Sequence, residues 1–392
     1  MINLNVKGGH LQKKEDTNRL IASRLRQARK ELGITQEEVA KAAGFKSHQI
    51  LLNIEKGTRT VKVAELVRLA KLYERSVDFF FGVDQPKSRP LVIWRDKQDQ
   101  HAAKRIEQKF LNYCETYARL EELADHKPTA FFLDSEKKIE NVKEAVSYGE
   151  SLGKAMGLGS RPAQELTTVL ENRYSVKILI LNAGNAGSAA STKGTFGAGI
   201  LLNLCNSPWR RNYDIAHELF HLTTWEKFNL EDIHCTSDTK KSRIDMLADA
   251  FASALLLPGM VVIEEFKNRV KNRSFSYIDC VTIARQFGVS TEALLWRLLN
   301  LNQIKKEEAE KAMNSSSLKS IDRTERIRDW KKEPKKYSPR FVTIAFECLQ
   351  KGRMSRTKFA ELMEIDLCDI DKFLANYGYD AAENYEGKIS TA

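Results

Sequence analysis

The stretch "DIAHELFHLTTW", residues 214–225, sets His217, Glu218 and His221 in a His-Glu-x-x-His spacing. On a helix, residues four apart share a face, so both imidazoles can reach one ion while Glu218 stands beside it. Zinc in such a place acidifies a water, and a neighbouring carboxylate takes the proton as the water attacks a carbonyl. Two histidines do not complete a zinc site, so a third protein ligand is required. Downstream, "DMLADAFA" at 245–252 places Asp245 and Asp249 on one helical face. Asp245 is the candidate third ligand, and Asp249 the carboxylate that accepts a hydrogen bond from a ligating histidine. The small Ala248 and Ala252 would let the two helices approach closely. The alternative is a pair of core histidines capped by carboxylates.

Several softer assignments surround this centre. "AGILLNL" at 198–204 is read as an edge strand on which an extended peptide could add, its backbone paired. "GNAGSAASTKGTFG" at 184–197 reads as a flexible rim. Tyr213 and His234 are candidates to stabilise an oxyanion. Cys205 is a candidate thiolate switch on the metal. Manganese could replace zinc in a site of this kind.

The head of the chain has a different character. Residues 19–31, "RLIASRLRQARKE", carry Leu20, Ala22, Leu25 and Ala28 roughly on one helical face, and Gly33 ends that helix. Thr35 with Glu38 three residues on forms a capping box. Further short helices follow over 36–43, 47–56 and 61–72, with "SVDFFFG" closing a five-helix unit. Its expected core is Leu25, Val39, Ala40, Leu51, Ile54, Leu66, Leu69 and Ala70. The third helix would present His48, Gln49 and Asn53 to a DNA major groove, with Ser47 at its start. Gln36 and Arg59 would reach the backbone phosphates. Double-stranded operator DNA is therefore the expected partner. A helical protein-interaction module is the alternative.

Length and composition agree with several domains and a polyanion partner. The chain has 392 residues and a net charge of +11. Residues 1–85 hold 16 basic against 10 acidic side chains, so the excess is concentrated there. No run approaches the roughly 20 apolar residues that span a bilayer, so no membrane partner is expected. The six cysteines are scattered without a Cys-x-x-Cys pair, which suits a reducing cytoplasm. "VDQPKSRP" at 83–90 reads as a linker. "LVIW" at 91–94 reads as a short strand, and the highly charged run from Asp96 to Ala124 as a long helical spacer. That helix is also a candidate homodimer surface. Two later helix pairs, at 282–304 and 354–378, have helix-turn-helix spacing but read first as packing units.

Two resemblances join these parts. "RLRQARKELGITQEEVAKAAGF" and "IEKGTRTVKVAELVRLAKLY" resemble the Cro/repressor-like (XRE) helix-turn-helix family. The segment from Gly44 to Gly57 looks one residue longer than in common members. "RRNYDIAHELFHL" and "DMLADAFASALLLP" place residues 145–258 close to the ImmA/IrrE metallopeptidases, which they resemble. In that alignment the family's ligand glutamate falls on Asp245, about one methylene shorter, and Asp249 matches the family's Asn/Asp position. The resemblance implies weak or conditional catalysis unless the helix comes nearer. It further implies a mainly α chain with a small β-sheet (α+β): an all-α five-helix domain, a zincin-like domain and a helical C-terminal region. The expected boundaries are an N-terminal tail at 1–18, the helix-turn-helix domain at 19–83, a linker and short strand at 84–97, a helical connector at 98–144, the peptidase at 145–305 and the C-terminal region at 306–392. The implied function is a DNA-binding regulator whose zinc endopeptidase cuts a repressor-like protein or its own linker, in stress or mobile-element control, with single-stranded DNA as a candidate activator. The alternatives are a regulator with a non-catalytic, ligand-sensing metal site, and a toxin–antitoxin or antiphage component.

Overall fold

The computed structural model of the chain describes residues 6–75, 77–82, 90–126, 133–135, 137–228, 242–270, 274–330 and 334–379. His234 and most of the candidate cleavage linker lie outside these. The chain divides into two compact units. One comprises residues 1–91, 96–113 and 183–187, the other 92–95, 114–182 and 188–392.

The first unit opens with α1 (Val6–Glu31), followed by α2 (Gln36–Ala42), α3 (His48–Glu55), α4 (Val63–Leu72) and α5 (Val77–Phe80). The expected tail at 1–18 is thus corrected. From Val6 it is helical and continuous with α1, because "LQKKED" at 11–16 is rich in good helix formers. Gly33 ends α1 in the left-handed region at φ 68°. Thr35 and Glu38 form the expected reciprocal cap of α2. All eight expected core residues are buried, joined by Ile21, Tyr73, Phe79 and Phe80. Leu20, by contrast, is exposed, and Ile21 takes its place inward.

The second unit is built on a four-stranded sheet in the order β1-β3-β4-β2: β1 (Val92–Arg95), β2 (Lys177–Leu181), β3 (Ala189–Gly194) and β4 (Gly197–Asn203). β3 runs antiparallel to both β1 and β4, while β2 and β4 are parallel. Two expectations fall here. The tract read as a flexible rim contains β3, whose Ala189, Ala190, Ser191 and Thr192 are buried. Small side chains let the sheet lie close to the helix above it, so composition mimicked a loop. β4 is an interior strand with both neighbours paired, so it offers no edge to a peptide; among the described residues the edges are β1 and β2.

α6 (Gln100–Leu123) has its first part in the first unit and its last part in the second, and the helices that complete the frame of the site are α7 (Val142–Met156), α8 (Pro162–Tyr174), α9 (Pro208–Thr223) and α10 (Arg243–Leu256). α6 is no solvated spacer. Ala103, Phe110, Leu111, Cys114, Tyr117 and Leu120 are buried along it, an apolar face that the surrounding charge conceals in the sequence. α9 and α10 pack on one another, and α10 packs on α7. The helices at Tyr277–Gln286 and Thr291–Asn300 bury Val281, Ile283, Ala284, Phe287, Leu294 and Leu298 in the same core as α9 and α10.

Gly149 sets the spacing of α7 and α10. A Cβ there would stand 2.5 Å from the Phe251 carbonyl oxygen and 3.2 Å from both the Ala254 Cβ and the Leu255 backbone nitrogen. Because backbone cannot swing aside, Gly149→Ala should destabilise the fold by about 1–3 kcal/mol despite alanine's better helix propensity. A urea midpoint equal to the parent's would disprove this close packing.

Candidate metal centre and DNA-facing helix

α9 starts under a Ser207 cap with Pro208 at its first turn and carries His217, Glu218 and His221 into the core. α10 starts under Ser242, whose hydroxyl accepts the Asp245 N–H. The two Nε2 atoms of His217 and His221 lie 3.2 Å apart. Asp245 Oδ1 lies 3.7 Å from the first and 3.8 Å from the second. A tetrahedral ion with bonds near 2.0–2.1 Å separates its ligand atoms by about 3.3 Å, so this triangle is close to the required size. The same three residues form the only group of three or more potential ligands among the described residues that converges in this way. The missing methylene of Asp245 is offset by the closeness of α9 and α10, where Ala216, Ala248 and Ala252 are wholly buried.

Charge states at His221 and Asp245 suit a cation. Burial and the His217 imidazole push His221 down to about 3, so it is neutral at pH 7. Burial works against the Asp245 charge, yet bonds from His217 and Ser242 hold its carboxyl below the ordinary value. A neutral imidazole and an ionised carboxylate are the forms a metal needs. His217 Nδ1–H donates to Asp249 Oδ1 at 2.9 Å, which leaves Nε2 facing the other two ligand atoms.

Glu218 is fully buried. Ser191 Oγ on β3 donates to its Oε2 at 2.7 Å, and its Oε1 has no hydrogen-bond partner. Burial pushes its carboxyl up to about 7. An orphaned buried acceptor on the residue next to the ligand His217 fits a site that takes an ion and a water.

Tyr213 and Cys205 are placed differently from their expected roles. The Tyr213 hydroxyl donates to the Asp249 carbonyl at 2.7 Å, which braces α10 rather than facing the ligand triangle. Cys205 is exposed, its thiol 3.2 Å from Asn182 Oδ1, and does not belong to the converging group. Three residues of this centre went unnoticed in the sequence: Ser191, Arg95 and Asp214. Arg95 sits one residue beyond the "LVIW" strand, and its Nη2 donates to Asp249 Oδ1 at 2.8 Å.

In the first unit, Ser47 caps α3, its Oγ accepting the Gln49 N–H. His48 and Gln49 are exposed, with Asn53 half-buried one turn on and linked to Gln49. Leu51 is buried, so the apolar pair at 51–52 leaves only Leu52 partly open. Gln36 and Arg59 are engaged within the unit. Gln36 Nε2 donates to Glu55 Oε2 at 2.8 Å, and Glu55 also holds Arg29 through two bonds. Arg59 Nη2 pairs with Glu65 at 2.8 Å.

Comparison with known proteins agrees with this division. A helix-turn-helix family model matches residues 25–80, and the IrrE N-terminal-like domain model of peptidase family M78 matches residues 171–299. No curated protein matches the chain. Among solved structures it is similar to a PrgX point mutant, at 12% identity over 92% of this chain and 100% of that one, with a TM-score of 0.15. That score is too low to support an argument. The two family matches, each falling on the unit that holds the corresponding residues, show that the chain is a fusion of an XRE-type helix-turn-helix domain with an IrrE-like domain of peptidase family M78.

Proposed function

We propose that this protein is a DNA-binding transcriptional regulator whose IrrE-like domain is a zinc-dependent endopeptidase acting on a repressor-like protein or on the chain itself. One observation carries the reading. The ligand atoms of His217, His221 and Asp245 converge, and Glu218, next to His217 on α9, is buried with its Oε1 unpartnered. A bound zinc, or manganese in its place, supplies a Lewis acid that polarises a peptide carbonyl and makes water easier to deprotonate. The chain's own residues do the rest. Glu218 takes the proton at Oε1, while the Ser191 hydroxyl holds Oε2 and fixes the carboxylate plane. Asp249 keeps the His217 proton on Nδ1. Burial of His217, Glu218 and His221 excludes bulk water, which strengthens every charge interaction inside. An extended peptide has β1 as the sheet edge on the side of this centre. The five described cysteines are all free, in keeping with a cytoplasmic regulator, and no described helix alone is long and apolar enough to cross a membrane.

The test is incubation of purified protein with zinc or manganese, with and without single-stranded DNA, and mapping of new termini by mass spectrometry. A candidate repressor-like protein is added in parallel. Absence of metal-dependent cleavage in every arm would refute the peptidase reading.

The DNA reading has its own measurement. Gln49 and Asn53 can each pair with an adenine edge, a contact of about 1–3 kcal/mol. Asn53→Ala should weaken a duplex selected from a random pool by that amount and leave binding to unselected duplex unchanged. Fluorescence anisotropy at several salt concentrations reads both, and an equal loss on both duplexes would reassign Asn53 to backbone contact.

A further inference from the structure

The metal centre draws on a strand outside the segment that matches the IrrE-like family. Arg95 ends β1, with its Cα opposite Ala189 of β3, and is only 6% exposed. Its Nη2 donates to Asp249 Oδ1 at 2.8 Å, the same oxygen that accepts His217 Nδ1–H. Its Nη1 lies 3.1 Å from Asp214 Oδ1, an ion pair rather than a well-aligned hydrogen bond. Asp214, with 0% exposure, is itself pinned. Ser188 Oγ and Asn206 Nδ2 donate to its Oδ2 at 2.9 and 3.0 Å, and Arg210 Nε pairs with its Oδ1 at 2.9 Å. The Arg95 guanidinium also lies over the Tyr213 ring, 5.5 Å from its centroid.

We propose that Arg95 is a positioning residue of the metal centre: anchored by Asp214, it locks Asp249 onto His217 and so aims His217 Nε2 at the ion. The proposal rests on the metal-site reading above. The Tyr213 hydroxyl holds the Asp249 carbonyl, while Arg95 and His217 engage its carboxylate. Loss of the Arg95 bond removes a restraint that holds the carboxylate on His217, and with it part of what fixes the imidazole tautomer. Only a planar, two-pronged cation spans two carboxylates on different helices, Asp214 on α9 and Asp249 on α10; a lysine ammonium is a point charge. Residues 92–95, which precede the family-matched segment at 171–299, are therefore part of this centre.

The experiment uses the full chain and zinc itself, read by competition with a chromogenic chelator and, for cobalt-loaded protein, by the visible absorption spectrum. Four proteins are compared: parent, Arg95→Met, Arg95→Lys and Arg340→Met. Arg340 pairs with Glu121 in another buried cluster, so its loss reports general destabilisation. The expected result is one zinc per parent chain, affinity about tenfold to a hundredfold weaker in Arg95→Met, and parent affinity in Arg340→Met. Arg95→Lys, the variant that keeps the charge should Arg95→Met not fold, is expected to be weaker than the parent with a shifted cobalt spectrum. Parent-like affinity and spectrum in Arg95→Lys, or parent-like affinity in Arg95→Met, overturns the proposal. So does an equal loss in Arg340→Met. A parent chain that binds no zinc refutes instead the metal-site reading on which the proposal stands.

Discussion

Glu218→Gln is expected to reduce peptide cleavage by about 10²–10⁴-fold while the metal stays bound. The two halves of that expectation have separate physical grounds. Glutamine has the same shape, and its amide oxygen can still accept the Ser191 hydroxyl that now bonds Oε2. The fully buried pocket around residue 218 therefore needs no repacking. The triangle of His217, His221 and Asp245 does not include Glu218, so its affinity for an ion has no cause to fall sharply. What disappears is the buried carboxylate oxygen that has no hydrogen-bond partner, Oε1. An amide at that position cannot take a proton. Cleavage is read by product termini and metal content by mass spectrometry on the same samples. A variant that cuts at the parent's rate would remove Glu218 from the mechanism, and one that loses the metal would show the carboxylate to be a ligand.

What could be seen in the sequence follows from where periodicity alone decides contact. His217 with His221, and Asp245 with Asp249, meet because residues four apart on a helix share a face. That α9 and α10 lie together was readable from Ala248 and Ala252, and the structure adds that Gly149 lets α7 close on the other side of α10. The shortened ligand was legible as a chemical fact, but not its remedy, which depends on how near two helices come. Ser191, Arg95 and Asp214 escaped because their roles come from tertiary pairing. The Ala-Ala-Ser-Thr run has a loop's composition, yet it is a buried strand paired on both sides. Arg95 lies more than a hundred residues from the carboxylates it joins. α6 hid its apolar face among charges, as long amphipathic helices do. On α3, exposure of His48 and Gln49 was predictable from spacing. The capture of Gln36 by Glu55 was not, since it requires knowing that Arg29 brings Glu55 to that place.

Glu171→Gln should stabilise the protein at pH 8 and do little at pH 4. Glu171 lies on α8, 3% exposed, with no hydrogen-bond partner at Oε1. Burial pushes its carboxyl up to about 7, against a smaller pull downward from Ser338 and Arg340. The charged groups near it are already committed. Arg340 pairs with Glu121 and bonds the Tyr117 hydroxyl, and Lys177 pairs with Glu121 at 2.9 Å. The folded state therefore holds the Glu171 proton more tightly than the unfolded chain does. Between the ordinary carboxylate range and pH 7 the native state binds more protons, so stability falls as pH rises through that window and is full below it. The loss approaches about 3 kcal/mol once the group ionises in both states. Glutamine keeps the volume and removes the charge, so most of that loss should vanish at pH 8. Urea midpoints at pH 4, 6 and 8 for parent and variant read the difference directly. Parallel curves across that range would mean that Glu171 stays ionised in the fold, satisfied by Arg340 after all.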